Sequence, residues 1–176
     1  MRLPEPKLKS ILEESGLVDK TVFESAQNES KRSNQSIADV LIGRGDISED
    51  YFYELVSRYL NIPLIDFKKT EAPYEIVELL PEAFAKSKEL ILFGQDKDKK
   101  IIKVAMADPL DYDAIEFLRA KFGAWVEIHL ATPTSLKYGL RRYKKKIGLE
   151  FNEIISESVK KFLSGGGEAD LAKLAE

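Results

Sequence analysis

The segments LKSILEESGLV (residues 8–18) and IADVLIGRGDI (residues 37–47) share one pattern, and this pattern decides the first half of the fold. Each segment has apolar residues at positions i, i+3 and i+4, followed by a glycine, and Gly16 aligns with Gly45 at an offset of 29 residues. Apolar residues spaced in this way form one face of a helix. Glycine readily takes the left-handed conformation that ends a helix. The repeat therefore predicts a helical hairpin that occurs twice.

A polar residue stands where the second helix of each hairpin should begin. Asp19 and Ser48 are N-cap residue types, and the acids Glu49 and Asp50 follow Ser48 in the first turn. A single short hairpin buries little apolar surface, so we expect the two copies to pack on each other. The predicted helical subdomain spans residues 5–62.

The helical block ends at Pro63, because proline disfavours helix at the residue before it. The composition of the chain also changes there. Beyond it, apolar runs of strand length alternate with helical spacing, and a polar turn at 94–100 suggests a β-hairpin. The strands are predicted at 64–67, 90–93, 101–106 and 125–130. The helices are predicted at 74–88, with a break or restart at Pro81, and at 113–122 and 135–143. We predict an α+β fold: a duplicated helical hairpin subdomain (5–62), then a small α/β sandwich subdomain (63–146). Residues 147–176 contain three consecutive glycines and are predicted to be a linker.

Composition and charge exclude several functional classes. The 176 residues are 44% hydrophobic and 32% charged, which is typical of a globular protein. The net charge of −3 argues against a dedicated nucleic-acid binder. The absence of cysteine and the presence of one histidine exclude disulfide scaffolds, thiol catalysis and metal sites rich in either residue. The N-terminus has no apolar stretch typical of a signal peptide, so we expect a cytoplasmic protein.

The sequence contains no phosphate-binding loop and none of the common hydrolase or dinucleotide motifs. His129 lies in an alternating run where a structural role competes with a role as general base, and no nucleophile is evident beside it. The segment DPLDYD (residues 108–113) has carboxylates at calcium-loop spacing but lacks the glycine and distal glutamate of that loop. The alternative is a turn into a helix, with Asp113 and Glu116 as a capping-box-like pair. We predict no catalytic residue, no metal site and no cofactor.

Several segments resemble a known family. The repeat, together with YLNIPLID (residues 59–66), LPEAFA (80–85) and VAMADPLD (104–111), resembles the N-terminal region of type II secretion and type IV pilus assembly ATPases, the general secretory pathway protein E family. AMADPL is the most specific element. The resemblance covers about residues 5–146 and makes residues 147–176 a linker toward ATPase domains that this chain lacks.

The resemblance implies a non-catalytic docking and regulatory module. In the family, this region engages cytoplasmic parts of the inner-membrane assembly platform. The partner we expect is therefore the cytoplasmic domain of such a platform protein, and the module would associate with the inner membrane through that partner. Any homo-oligomer would form through the absent ATPase domains.

The resemblance also implies an alternative function, a cyclic di-GMP receptor. A subset of the family binds cyclic di-GMP through two motif copies that begin Arg-Leu-Gly and end in Gln, in the same 29-residue register. The arginine, glycine and glutamine positions are replaced here by Lys7 and Ser36, Lys9 and Ala38, and Ser30 and Tyr59. Lysine offers a point charge where arginine makes two hydrogen bonds, and serine offers no charge. The remaining candidate contacts are Lys7, Leu8, Leu12, Ile37 and Leu41, of which the four apolar residues are also expected in the core.

Overall fold

The structure is a computed structural model that describes residues 3–143. This part of the chain forms eight helices and three strands: α1 (Glu5–Glu14), α2 (Lys20–Ser33), α3 (Ile37–Arg44), α4 (Glu49–Leu60), α5 (Tyr74–Val77), α6 (Glu82–Ser87), β1 (Leu90–Asp96), β2 (Ile101–Met106), α7 (Tyr112–Phe122), β3 (Trp125–Leu130) and α8 (Pro133–Leu140). The predicted α+β class is confirmed. None of the helices in this part of the chain is long and apolar enough to span a bilayer. The predicted linker at residues 147–176 lies outside the described residues.

The four N-terminal helices form the two predicted hairpins. Gly16 follows α1 with a φ of 71°, and Gly45 ends α3 with a φ of 79°. The carboxylate of Asp19 accepts a hydrogen bond of 2.8 Å from a backbone N–H in the first turn of α2, and Ser48 caps α4 in the same way at 3.3 Å. These local signals therefore set the helix ends as predicted.

The two hairpins bury a common cluster of side chains, which we call the helical core. Burial of this apolar surface is the main source of stability for such short helices. The helical core consists of Leu8, Leu12, Val18, Phe23, Ala26, Ile37, Ala38, Val40, Leu41, Ile47, Phe52, Tyr53, Val56 and, from β3, Leu130.

The three strands form one sheet in the order β1-β2-β3. β1 pairs antiparallel with β2, which confirms the predicted β-hairpin, and β2 pairs parallel with β3. Parallel neighbours need a crossover connection, and α7 provides it. This helix buries Ala114, Ile115 and Leu118 against one face of the sheet. On the other face α8 approaches closely, because a Cβ at Gly139 would lie 3.1 Å from the side chain of Ile91 on β1.

The predicted strand at residues 64–67 was wrong in its extent. Leu64 forms only an isolated parallel bridge with Leu130. The cause is Asp66, whose carboxylate accepts a hydrogen bond of 2.9 Å from the backbone N–H of Lys68 and whose carbonyl accepts one from Thr70. These bonds turn the chain away from the sheet after a single bridging residue.

The helical half and the sheet half are joined at two places. The backbone N–H of Leu130 donates to the carbonyl of Pro63 at 2.8 Å, and the side chain of Leu130 belongs to the helical core. The hydroxyl of Tyr53 donates to the carbonyl of Ala107 at 3.3 Å in a buried position. Both halves belong to one compact unit that extends to Leu140. The division into subdomains at residues 62 and 63 stays a prediction.

Candidate functional site

The structure places four of the five predicted cyclic di-GMP contacts inside the protein. Leu8, Leu12, Ile37 and Leu41 all belong to the helical core, and Leu12 and Leu41 have no exposed surface. Lys7, on the first turns of α1, is the only exposed candidate of the five. The apolar candidates therefore stabilise the packing of the two hairpins, and a ligand would reach Leu12 or Leu41 only if a helix moved.

The residues that replace the family's polar determinants have local structural contacts. Ser36 caps α3 by accepting a hydrogen bond of 3.1 Å from a backbone N–H, and its hydroxyl donates to a carboxylate of the same turn at 2.6 Å. Lys9 lies 3.8 Å from the carboxylate of Glu13 and 5.8 Å from the ring centre of Phe23. The hydroxyl of Ser30 donates to a carbonyl in the α2–α3 loop at 2.6 Å. At these positions, side chains that support the helices stand where the family subset has ligand contacts.

The last register position, Tyr59, lines a surface groove between α1 and α4, which we call the α1–α4 groove. It has a volume of about 400 Å³. Tyr59 is 46% exposed, and Leu17, two residues beyond the groove residue Ser15, is 56% exposed. Exposed apolar side chains grouped beside a groove are typical of interaction sites. The groove is lined by Ile11, Glu14, Ser15, Tyr51, Leu55, Arg58 and Tyr59.

The carboxylates of residues 108–113 form a turn and a helix cap. Asp111 is the N-cap of α7, because its carboxylate accepts a hydrogen bond of 3.0 Å from the backbone N–H of Ala114. The predicted pair of Asp113 and Glu116 was therefore wrong: Asp113 lies in the first turn, and Glu116 pairs with Arg119 at 2.6 Å. Pro109 and the bonds within the turn place the cap two residues earlier than expected. Within residues 3–143, no group of three or more acidic or histidine side chains is arranged to hold a metal ion.

A second groove opens beside this turn, with a volume of about 410 Å³. The ammonium of Lys88 lies 3.0 Å from the carboxylate of Asp111 at its edge. We call it the acidic groove; it is lined by Ser87, Lys88, Glu89, Asp108, Leu110, Asp111, Tyr112 and Asp113. His129 does not line it, so the structure does not bring the histidine and this turn together.

His129 is a residue of β3, and its ring packs on a phenylalanine of the same sheet. Its ring meets Phe93 edge to face at a centroid distance of 4.9 Å, and its buried Nδ1 has no hydrogen-bond partner. Burial lowers the pKa of His129 and Lys103 lowers it further, while Glu127, 3.8 Å from Nε2, opposes them. A general base needs a substrate or nucleophile within hydrogen-bond reach. The contacts of this ring support a structural role.

A family model decides the relationship of the chain. Residues 60–148 match the MshEN domain model. The chain belongs to the MshEN domain family. The match covers the sheet half and its α helices, including the AMADPL string.

The similarity of this chain to curated relatives extends over both its helical half and its sheet half. The chain is 27% identical over 149 residues, or 85% of its length, to the type IV pilus assembly ATPase PilB of Thermus thermophilus. It is 24% identical over 151 residues to the PilB of Myxococcus xanthus. The chain spans only 17% and 26% of the lengths of these two proteins. The predicted resemblance to the N-terminal region of pilus assembly ATPases is confirmed.

Two solved structures have the same fold. The structure of MshE with cdg, an abbreviation of cyclic di-GMP, is 29% identical, with a TM-score of 0.68 over 81% of this chain and 99% of that chain. The N-terminal domain of XpsE is 23% identical, with a TM-score of 0.63 over 81% of this chain and 98% of that chain. The helical hairpins and the sheet therefore form one recurrent module.

Two features of the structure do not follow from the sequence pattern, one on this surface and one buried. The sequence marks Tyr59 only as a replaced glutamine, and its spacing of three residues from Val56 and seven from Phe52 continues the buried stripe of α4. Its place in the last turn of α4 is the one local sign that it is exposed. The hydrogen bond from Tyr53 to Ala107 joins residues that are 54 positions apart in the sequence, and no local sequence pattern predicts it.

Proposed function

We propose that this chain is a non-catalytic docking and regulatory domain of a secretion or pilus assembly ATPase. The observation that carries the proposal is the MshEN match together with the similarity to PilB over most of the chain. The partner is the cytoplasmic part of an inner-membrane platform protein, so the domain works at the cytoplasmic face of that membrane. A homo-oligomer formed through ATPase domains linked to it would bring several copies of this domain together.

The α1–α4 groove has the surface chemistry of a docking site. Tyr59 supplies exposed apolar area in this groove, and an aromatic side chain of this kind acts as an anchor when a partner covers it. Arg58 is largely exposed, and among residues 3–143 its guanidinium has an ion pair only with Glu54 on its own helix, at 3.6 Å. The groove therefore fits a partner segment that presents an apolar side chain beside a carboxylate.

A binding measurement with matched variants tests this proposal. Biolayer interferometry would compare the purified chain with the cytoplasmic segments of the platform proteins encoded beside its gene. We expect Tyr59→Ser to weaken binding by about tenfold, because an anchor side chain is removed. Tyr138→Ser is the matched control, since Tyr138 has the same 46% exposure but lies on α8. The proposal fails if no segment binds. The assignment of the α1–α4 groove as the docking site is wrong if both variants bind with the same affinity.

A second candidate function is a cyclic di-GMP receptor. It is favoured by the likeness to MshE, whose structure holds cdg, at 29% identity over nearly the whole of that chain. The replaced determinants and the buried positions of Leu12 and Leu41 weigh against it. Both candidates use the helical half, so they differ in ligand class and not in location.

Calorimetry separates the two candidates. The purified chain would be titrated with cyclic di-GMP, with cyclic di-AMP as the control for nonspecific binding of an anionic dinucleotide. A receptor predicts saturable heat with cyclic di-GMP alone, which Lys7→Ala reduces, because Lys7 is the one exposed cation among the candidates. Flat titrations with both nucleotides would remove the receptor function and leave the docking proposal standing.

A further inference from the structure

The two ends of the three-stranded sheet carry opposite charge. In the sheet register, Ile101 pairs with Asp96 on β1 and with Trp125 on β3, while Met106 pairs with Leu90 and Leu130. The β1–β2 turn and the start of β3 therefore lie at one end, which we call the basic end. The acidic groove lies at the other, where the backbone N–H of residue 107 donates to the carbonyl of residue 89 at 3.0 Å. Six strand residues separate the ends by roughly 17 Å.

The basic end combines exposed cations with an exposed aromatic ring. Residues 96–103 and 119–127 contain six basic and three acidic side chains, although the whole chain has a net charge of −3. Trp125 is 64% exposed, and the guanidinium of Arg119 lies 5.1 Å from its ring centre. The backbone N–H of Trp125 donates to the carbonyl of Lys100 at 2.7 Å, which brings the backbones of these two exposed residues together at this end. Tryptophan and arginine are the residue types most enriched where proteins bind each other.

The acidic groove complements the basic end, because it has an excess of acidic side chains and an exposed aromatic ring. Its four acids, Glu89, Asp108, Asp111 and Asp113, outnumber its one cation, Lys88. The ion pair between Lys88 and Asp111 neutralises one acid. The ring of Tyr112 is 67% exposed at the rim. The groove thus presents an excess of negative charge beside an aromatic ring that a cation can cover.

The dipole of α7 explains only part of this separation. Asp113 in its first turn and Arg119 and Lys121 in its last turn each complement the helix dipole. Lys97 and Lys100 lie in the β1–β2 turn and not on α7, and they have no ion pair among the described contacts. These two charges do not complement the dipole of α7, and both side chains are exposed.

We propose that the basic end of one copy of this chain docks into the acidic groove of a second copy. The contact is head to tail, with Lys97, Lys100 and Trp125 facing Glu89, Asp113 and Tyr112. Two copies that both carry a net negative charge repel each other in other orientations, so the complementary ends select this one. A head-to-tail contact leaves one free end on each terminal copy, and it therefore builds rings or filaments. The proposal goes beyond the docking function and uses surfaces other than the α1–α4 groove.

Sedimentation velocity over a concentration series tests this contact. We expect the weight-average mass of the full chain to exceed the 19.9 kDa of one copy at low salt, and to fall to that value at about 0.5 M salt, where exposed charges are screened. Lys100→Glu alone and Asp113→Lys alone should each weaken association by about tenfold. Lys31→Glu changes the net charge equally but lies at the end of α2, and it should have little effect.

An equimolar mixture of the two variants is the decisive sample. Lys100→Glu keeps an intact acidic groove, and Asp113→Lys keeps an intact basic end, so the mixture should form one-to-one dimers at concentrations where each variant alone is monomeric. Far-UV circular dichroism confirms that each variant is folded. The proposal is overturned if the wild-type chain is monomeric at low salt, if salt leaves its association unchanged, or if the mixture stays monomeric.

Discussion

Replacing Leu41 with alanine should destabilise the protein by several kilocalories per mole. Leu41 is fully buried in the helical core, so the change removes three carbon groups from a site that solvent does not reach. Each buried methylene contributes about 0.8 kcal/mol, which gives about 2.4 kcal/mol. The cavity that remains adds to this loss, and comparable substitutions cost about 2.7–5 kcal/mol in all. We expect about 3–4 kcal/mol for Leu41→Ala, and the same for its repeat partner Leu12→Ala.

Urea denaturation followed by circular dichroism at 222 nm measures this loss. Tryptophan fluorescence is a poorer probe, because the single Trp125 is exposed in the folded state. With an m-value of about 2 kcal/mol/M, the midpoint should fall by about 1.5–2 M. Leu17→Ala is the control, since Leu17 is exposed and should change stability by less than about 0.5 kcal/mol. A loss below about 1 kcal/mol for Leu41→Ala would refute its assignment to the core and reopen its assignment to a ligand site.

Three further predictions concern the joint, the histidine and the helix cap. Tyr53→Phe removes the hydrogen bond to Ala107 and should cost about 1 kcal/mol in urea denaturation, and an unchanged midpoint would contradict this. The folded state lowers the pKa of His129, so the unfolded state binds more protons below about pH 6.5 and the free energy of unfolding falls as the pH drops. His129→Gln should therefore lose less stability between pH 7.5 and pH 5.5 than the wild type. Equal losses in the two proteins would exclude this cause. Asp111→Ala removes the cap of α7 and the partner of Lys88 and should cost about 1–2 kcal/mol by the same assay, whereas Asp113→Ala should cost less.

The sequence could predict the parts of this fold that local interactions determine. Gly16 and Gly45 end helices, and Asp19 and Ser48 begin them, within a few residues of the apolar pattern itself. Spacing also predicts β2 and β3 at their observed bounds. The class of the fold and the duplication of the hairpin follow from these signals alone.

The parts that the sequence could not predict depend on geometry between distant or competing residues. Residues 108, 111 and 113 are all aspartates, and each is an acceptable N-cap by type, so only the backbone path after Pro109 selects Asp111. Likewise the apolar run at 64–67 has the composition of a strand, but the hydrogen bonds of Asp66 end it. For the candidate site, spacing predicts the apolar scaffold, but it does not show that Tyr59 lies beside a groove.

The residues at the positions of the cyclic di-GMP motif make contacts that stabilise the helices. Substitutions that restore ligand contacts at these positions would therefore also change the stability of the fold. Ser36→Arg would supply the arginine of the family subset but would remove the cap of α3, at a cost of about 1 kcal/mol. Ala38→Gly would open the backbone to a ligand but would place glycine inside α3, at a cost of about 1 kcal/mol more. Because α3 is only eight residues long, both changes act on one short helix that depends on its cap and its buried face. Gain of cyclic di-GMP binding by such substitutions would therefore need compensating changes in the helical core.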